Sequence, residues 1–108
     1  MLIDKVWELC LKLWDSIYDK PGSVCDNKAT WMIENGFEGI RNDCFFCQFA
    51  HDEYLKPENH GSMCDFCPGV LVDPKFDCTN FEYHCANNPK RFRQRIQQLN
   101  KKRIGNKL

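Results

Sequence analysis

The chain of 108 residues carries 15 acidic residues, 15 basic residues and eight cysteines. This length corresponds to one domain with a limited core, and no apolar run approaches the ~20 residues that a transmembrane helix needs. The N-terminal segment is charged and lacks the apolar stretch of a signal peptide. We therefore predict a cytoplasmic protein with no membrane partner. In a reducing compartment, paired cysteines indicate metal ligands, and a disulfide framework is the less favoured alternative.

The net charge of zero conceals two oppositely charged parts of the chain. Residues 1–85 hold all 15 acidic and seven basic residues, a net charge of −8, whereas residues 86–108 hold eight basic residues and no acidic one, a net charge of +8. Such an asymmetry says more about partners than the overall balance does.

Residues 2–18 predict an amphipathic helix, because their apolar positions recur at intervals of three and four. The pair Pro21-Gly22 ends it. Trp7 and Trp14 lie on the apolar stripe, which could be a docking face for a partner. Packing against the rest of the domain is the favoured interpretation for aromatic residues at helical spacing.

A second, shorter helix follows, with Asp26 or Asn27 as its N-cap and an Asn-Gly stop that ends at Gly36. Cys25, just before these caps, and Cys10 in the first helix have no nearby cysteine partner. Both are predicted to be small buried apolar residues.

Two Cys-x2-Cys pairs, Cys44 with Cys47 and Cys64 with Cys67, have the spacing of a closed four-thiolate zinc site. Two intervening residues let the backbone turn so that both sulfurs of a pair reach one ion. Four thiolates complete a tetrahedron and leave no coordination position for water. The prediction is a structural Zn²⁺, shielded by neighbouring phenylalanines.

Three further residues are alternatives to these ligands. Cys78, Cys85 or His84 could replace one of the four, and Cys78 is also a candidate for a sulfur near the metal in the outer shell. A second complete zinc site would need Cys78, Cys85 and two more groups, such as His84 with Cys25, and the spacing matches no standard pairing.

The segment between the two knuckles, from His51 to Met63, predicts a surface loop. After the second knuckle, Val70-Leu71-Val72 predicts one short strand. The expected fold is therefore a small, mostly helical α+β domain. It comprises a helical part (1–36), a zinc-knuckle module (37–85) and a basic C-terminal helix (86–108), within one domain, 1–108.

The C-terminal helix is predicted to start at Asn88 and Pro89 and to end at Gly105. Its buried face would contain Phe92, Ile96 and Leu99. Its candidate partner-binding or nucleic-acid-binding residues are Lys90, Arg91, Arg93, Arg95, Lys101, Lys102 and Arg103. The competing interpretation is a solvated face that balances the acidic part of the same molecule.

Nothing in the chain predicts catalysis. A closed zinc site has no reactive position, and the motifs H-E-x-x-H, H-x-E with P-C-x-x-C, and Gly-rich phosphate loops do not occur. The histidines, His51, His60 and His84, are scattered, and Asn59-His60 is only a faint trace of a nuclease motif.

The order of these motifs across residues 9–85 resembles a group of small zinc-knuckle proteins of bacteriophages and prophages. The similar features are L-x3-L-W-x2-I from Leu9, a tryptophan at Trp31, N-D-C-F-F-C-Q-F-A, and C-x-x-C-P. The matching positions are Asn42, Cys44, Cys47, Cys64, Cys67, Pro68, Cys78 and Tyr83. Members of the group typically show C-x-x-C-E-Y-A and a tryptophan after the closing proline. Here that tryptophan is missing, and the basic C-terminal helix is not typical of the group.

The resemblance implies a protein that acts by binding a host enzyme, a transcription component or a defence system. We predict a non-catalytic, zinc-stabilised protein that modulates or inhibits a host macromolecule, most simply a protein, in the bacterial cytoplasm. The alternative is a nucleic-acid-binding zinc protein that uses the basic helix. The sequence makes no prediction of oligomeric state.

Overall fold

The computed structural model describes residues 2–37, 45–58, 61–80 and 82–106. These ranges contain five α-helices and a 3₁₀ turn: α1 (Ile3–Ile17), α2 (Val24–Glu34), α3 (Phe45–Tyr54), the 3₁₀ turn (Met63–Phe66), α4 (Pro68–Val72) and α5 (Pro89–Asn106). No β-strand occurs in them. The described part of the fold is all-helical, and the predicted α+β class is wrong.

The predicted strand at residues 70–72 is the end of α4. Cys67 is extended and precedes the helix, and Pro68 occupies the first turn, where its missing N–H costs nothing. The backbone N–H of Leu71 donates to the Cys67 carbonyl at 3.0 Å. Three consecutive apolar residues have no period that separates a strand from a helix, and the described residues offer no strand to pair with them.

The predicted loop at residues 51–63 is also partly wrong, because α3 continues to Tyr54. Phe46 and Ala50, four residues apart, lie buried on its inner side. The side-chain amide of Gln48 donates to the Asp52 carboxylate at 3.1 Å across one turn of the outer side. The polar run from His51 is therefore the exposed end of an amphipathic helix.

Helix α1 agrees with its prediction and lies at the centre of the core. It packs against α2, α3 and α5. Trp7 meets Phe46 of α3 and Trp14 meets Phe92 of α5, each edge to face with ring centroids 4.7 Å apart. Both tryptophans are fully buried. The core-packing interpretation of the aromatic stripe is confirmed.

Helix α2 starts earlier than predicted. Ser23 is its N-cap and accepts a hydrogen bond from the backbone N–H of Asp26, so the expected caps lie inside the helix. Gly36 follows the helix with a φ of +82°, as the stop signal predicts. Cys10 is buried as predicted. Cys25 is exposed, against its prediction, because the buried residues of α2 lie near its other end.

Helix α5 starts at Pro89, and its buried face contains Phe92, Ile96 and Leu99, as predicted. It extends one residue past the expected end at Gly105, to Asn106. No helix in the described ranges combines the length and the apolar character needed to cross a membrane.

The contact between α4 and the core depends on Gly69. A Cβ atom there would lie 2.5 Å from Cδ1 of Phe76, a buried ring that also packs against Phe46 and Phe92. Gly69→Ala is expected to lower the free energy of unfolding by about 1–3 kcal/mol, measured by chemical denaturation.

Gly105→Ala is the matched control, because no atom lies within 4 Å of its Cβ position. It is expected to leave stability unchanged or to raise it by up to ~1 kcal/mol. Equal stability of Gly69→Ala and wild type would contradict the packing of Phe76 on α4.

Candidate functional site

One cavity brings the described knuckle cysteines together. It has a volume of about 400 Å³, and its cysteine lining consists of Cys47, Cys64, Cys67 and Cys78. Three of the four predicted zinc ligands therefore share a cavity with the candidate substitute Cys78. The fourth, Cys44, lies outside the described residues, as does His60.

The 3₁₀ turn positions the second knuckle. Ser62 Oγ accepts from the backbone N–H of Cys64 at 3.3 Å, and the Asp65 carboxylate accepts from the backbone N–H of Ser62 at 3.1 Å. The backbone N–H of Cys67 then donates to the Cys64 carbonyl at 3.1 Å. This capping box reverses the chain so that both cysteines line the cavity. The pattern Ser-x2-Asp is its sequence signal, which our sequence analysis missed.

Cys47 lies in the first turn of α3, which packs against the 3₁₀ turn. Phe45, two residues earlier, is buried and meets Trp31 of α2 at a centroid distance of 6.0 Å. The described part of the first knuckle is thus joined to the aromatic core.

Thiolate donors around a shared cavity have the chemistry of a zinc site. Within the described ranges, however, no group of three or more Cys, His, Asp or Glu side chains is arranged to hold a metal ion. That finding covers the alternative second site of Cys25, Cys78, His84 and Cys85, all of which are described. It leaves out Cys44, so the predicted four-thiolate site stays a prediction.

Cys78 and Cys85 form a pair, whereas the sequence presented them as separate substitutes. The backbone N–H of Cys85 donates to the Cys78 carbonyl at 3.2 Å. The Cys78 thiol also hydrogen-bonds to the Cys85 sulfur, which lowers the pKa of Cys85 to about 6 despite its partial burial. The nearby charges of Lys28 and His84 act in the same direction. His84 Nδ1 accepts from the backbone N–H of Ala86 at 3.1 Å.

Three of the seven basic residues predicted as a binding surface contact the acidic part of the molecule. Arg93 pairs with Asp15 at 2.6 Å, Arg95 with Asp73 at 2.5 Å, and Arg103 with Asp4 at 2.5 Å. The guanidinium groups of Arg93 and Arg103 also lie over the rings of Tyr18 and Trp7. For these three arginines, the interpretation that α5 balances the acidic part holds.

The other four, Lys90, Arg91, Lys101 and Lys102, are exposed, and we call them the basic stripe. Lys90 and Lys101 are eleven residues apart, as are Arg91 and Lys102, which corresponds to three helical turns and a rise of about 16 Å. Lys90 and Lys101 lie opposite the buried residues of α5, and Arg91 and Lys102 lie about a quarter of a turn away, next to Arg95. The three arginines above make the salt bridges between α5 and the other described residues, and the charge of Lys102 also acts on the Asp73 carboxylate.

His51 lies exposed on α3, with Nδ1 3.8 Å from the Asp52 carboxylate. The structure brings it into no group with His84 or the cavity cysteines among the described residues.

Comparisons with models of protein families, with curated proteins and with solved structures gave no match. The resemblance to phage zinc-knuckle proteins stays a prediction from the motifs.

The Cys85 pair predicts a pH dependence. A thiolate is the reactive form, so the rate of Cys85 alkylation by iodoacetamide should rise with pH through a midpoint near 6. In Cys78→Ala the hydrogen bond that stabilises the thiolate is lost, and the midpoint should move up. Mass spectrometry of digests after timed alkylation measures it.

Cys25→Ala is the control, because Cys25 is exposed on α2 and is no partner of Cys85 in this pair. The Cys85 midpoint should not change in it. An identical midpoint in wild type and Cys78→Ala would contradict the thiol–thiolate hydrogen bond.

Proposed function

We propose that this chain is a non-catalytic, zinc-stabilised binding protein that acts on a host macromolecule, as a phage-type inhibitor or adaptor in the bacterial cytoplasm. The observation that carries the proposal is the shared cavity of Cys47, Cys64 and Cys67, at the junction of α3, the 3₁₀ turn and α4. A short chain that joins its elements through a metal presents a rigid surface at small size.

The proposed ligands of the structural zinc are Cys44, Cys47, Cys64 and Cys67. Cys78 lines the same cavity and takes the outer-shell position in this proposal, next to Cys85. Zn²⁺ would contribute folding free energy by tying the start of α3 to the turn before α4. A closed tetrathiolate shell supports a structural role for the metal and a non-catalytic protein.

The proposed binding surface is the basic stripe. Its four cations are exposed on α5, and residues 86–108 contain no acidic residue. A surface of one charge sign favours an acidic partner and speeds its association. The paired arginines on the other sides of α5 hold the helix against α1 and against Asp73 beyond α4, so the stripe is presented on a fixed element.

A second candidate function, nucleic-acid binding, is favoured by the same stripe, because lysine and arginine neutralise phosphates. The net charge of −8 on residues 1–85 counts against it, since those acids repel a phosphate backbone. Salt separates the two functions, because phosphate binding weakens steeply as salt rises.

The zinc site predicts a difference between two single cysteine variants. Wild type purified with zinc present should contain one zinc per chain, and Cys64→Ser should contain almost none and lose its cooperative unfolding transition. Elemental analysis and thermal denaturation followed by circular dichroism measure these quantities. Cys25→Ser is the control, equally exposed but outside the cavity, and should match wild type in both.

The same zinc content and melting behaviour in Cys64→Ser and wild type would rule out the assigned ligands. Loss of zinc from Cys25→Ser as well would show that the assay reports general unfolding.

The binding surface predicts the outcome of affinity capture from a bacterial host lysate. Zinc-loaded wild type should retain a host protein after nuclease treatment. The variant Lys90→Gln/Arg91→Gln/Lys101→Gln/Lys102→Gln should bind that protein about tenfold or more weakly, since four surface ion pairs are lost. The control Lys5→Gln/Lys12→Gln/Lys20→Gln/Lys56→Gln removes four exposed lysines from the rest of the molecule and should bind like wild type.

Recovery of nucleic acid alone, lost on nuclease treatment or at raised salt, would favour the second candidate. Equal binding by both quadruple variants would contradict the role of the stripe.

A further inference from the structure

We propose that Cys78 and Cys85 form a thiol–disulfide exchange site, separate from the zinc ligands, whose oxidant is a low-molecular-weight disulfide of the glutathione class. The pair would exist as a dithiol in a reducing cytoplasm and as an intramolecular disulfide when the oxidised form of that compound accumulates. Intracellular disulfides of this kind are characteristically transient and redox-sensing.

The geometry of the backbone supports the pairing. The hydrogen bond from the Cys85 N–H to the Cys78 carbonyl, 3.2 Å long, holds the two residues side by side. A direct backbone hydrogen bond between two residues keeps them close enough along the fold for their side chains to meet. The thiol–thiolate hydrogen bond places the two sulfurs next to each other. A disulfide would therefore join two sulfurs that already contact each other.

Hydrogen bonds and a ring contact hold the segment from Cys78 to Cys85 in place on both sides. Before it, the Asp77 carboxylate accepts from the backbone N–H of Thr79 at 2.9 Å and from its hydroxyl at 2.6 Å. After it, the side-chain amide of Asn88 donates to the Glu82 carbonyl at 3.3 Å. The ring of Tyr83 stacks on buried Phe76, with centroids 6.0 Å apart.

Access and charge suit an exchange reaction. Both cysteines are half-buried, so a small disulfide can approach them, whereas the access of large oxidants is restricted. The positive charge of Lys28 acts on the Cys85 sulfur and favours its thiolate, which is the attacking species.

The exchange balances in two steps. The Cys85 thiolate attacks one sulfur of oxidised glutathione, forming a mixed disulfide and releasing one glutathione thiolate. The Cys78 thiol loses its proton to solvent and attacks the Cys85 sulfur of the mixed disulfide, releasing a second glutathione thiolate. The two protein thiols are oxidised, one molecule of oxidised glutathione is reduced to two thiols, and no other reagent is needed.

Oxidation of the Cys78–Cys85 pair would also change the cavity. Cys78 lines the same cavity as Cys47, Cys64 and Cys67, so the redox state of the pair changes one wall of the cavity and removes no proposed zinc ligand. The site would therefore respond to redox conditions while the zinc module stays folded.

The test treats zinc-loaded, full-length protein with glutathione mixtures of increasing oxidised fraction, then alkylates remaining thiols and analyses digests by mass spectrometry. The expected product lacks two hydrogen atoms, carries a Cys78–Cys85 cross-link, and keeps its full zinc content. Cys25→Ser should form the same cross-link. Cys85→Ser should form none and should keep the wild-type zinc content, which checks that it is folded.

Two results would overturn the proposal. One is a glutathione adduct on Cys85 that persists without the cross-link. The other is a cross-link that appears only after zinc is chelated, which would place Cys78 among the metal ligands. A protein that contains no zinc and still forms the cross-link would refute the proposed zinc site and support the exchange site, so the two failures are distinguishable.

Discussion

The packing of Trp7 and Trp14 on the aromatic rings of two other helices is the interaction on which the rest of the structure depends. Trp7 holds Phe46 near the start of α3, where Cys47 lies, and Trp14 holds Phe92 of α5. Each edge-to-face pair is worth about 0.5–1.5 kcal/mol beyond the apolar area it buries. The indole N–H groups of both tryptophans are buried without an acceptor among the described residues, so hydrogen bonding adds nothing to the stability that these ring contacts provide. Helix α1 therefore holds both α3, which lines the cysteine cavity, and α5, which carries the basic stripe.

The structure shows how the acidic part and the basic part of the chain interact through α5. Arg93 and Arg103 reach carboxylates of α1, and Arg95 reaches Asp73 just beyond α4, so part of the positive charge holds the acidic and basic parts together. The side of α5 that faces away from the core keeps its cations exposed. One helix thus serves both as an internal counter-charge and as the proposed binding surface. Sequence composition alone could not separate the two roles, because the separation depends on where each residue falls around the helix.

Prediction from sequence succeeded where a pattern is long and failed where it is short or depends on tertiary contacts. The long stripe of α1 and the Pro89 start of α5 follow from helical periodicity and capping chemistry. Residues 70–72 carry too few positions for a period, so their helix was missed. Cys47, Cys64 and Cys67 line one cavity, while the zinc site that the cysteine spacing predicts stays a prediction. The pairing of Cys78 with Cys85 depends on how the chain folds back between them.

The central claim, that thiolates from two knuckles hold one metal ion, is tested most directly by titrating the reduced, metal-free protein with Co²⁺ and recording its absorption spectrum. The account predicts intense visible bands of tetrahedral cobalt with strong sulfur-to-metal charge transfer, saturating at one ion per chain and abolished by added zinc. A weak spectrum typical of octahedral cobalt with oxygen ligands, or no saturable binding, would contradict it.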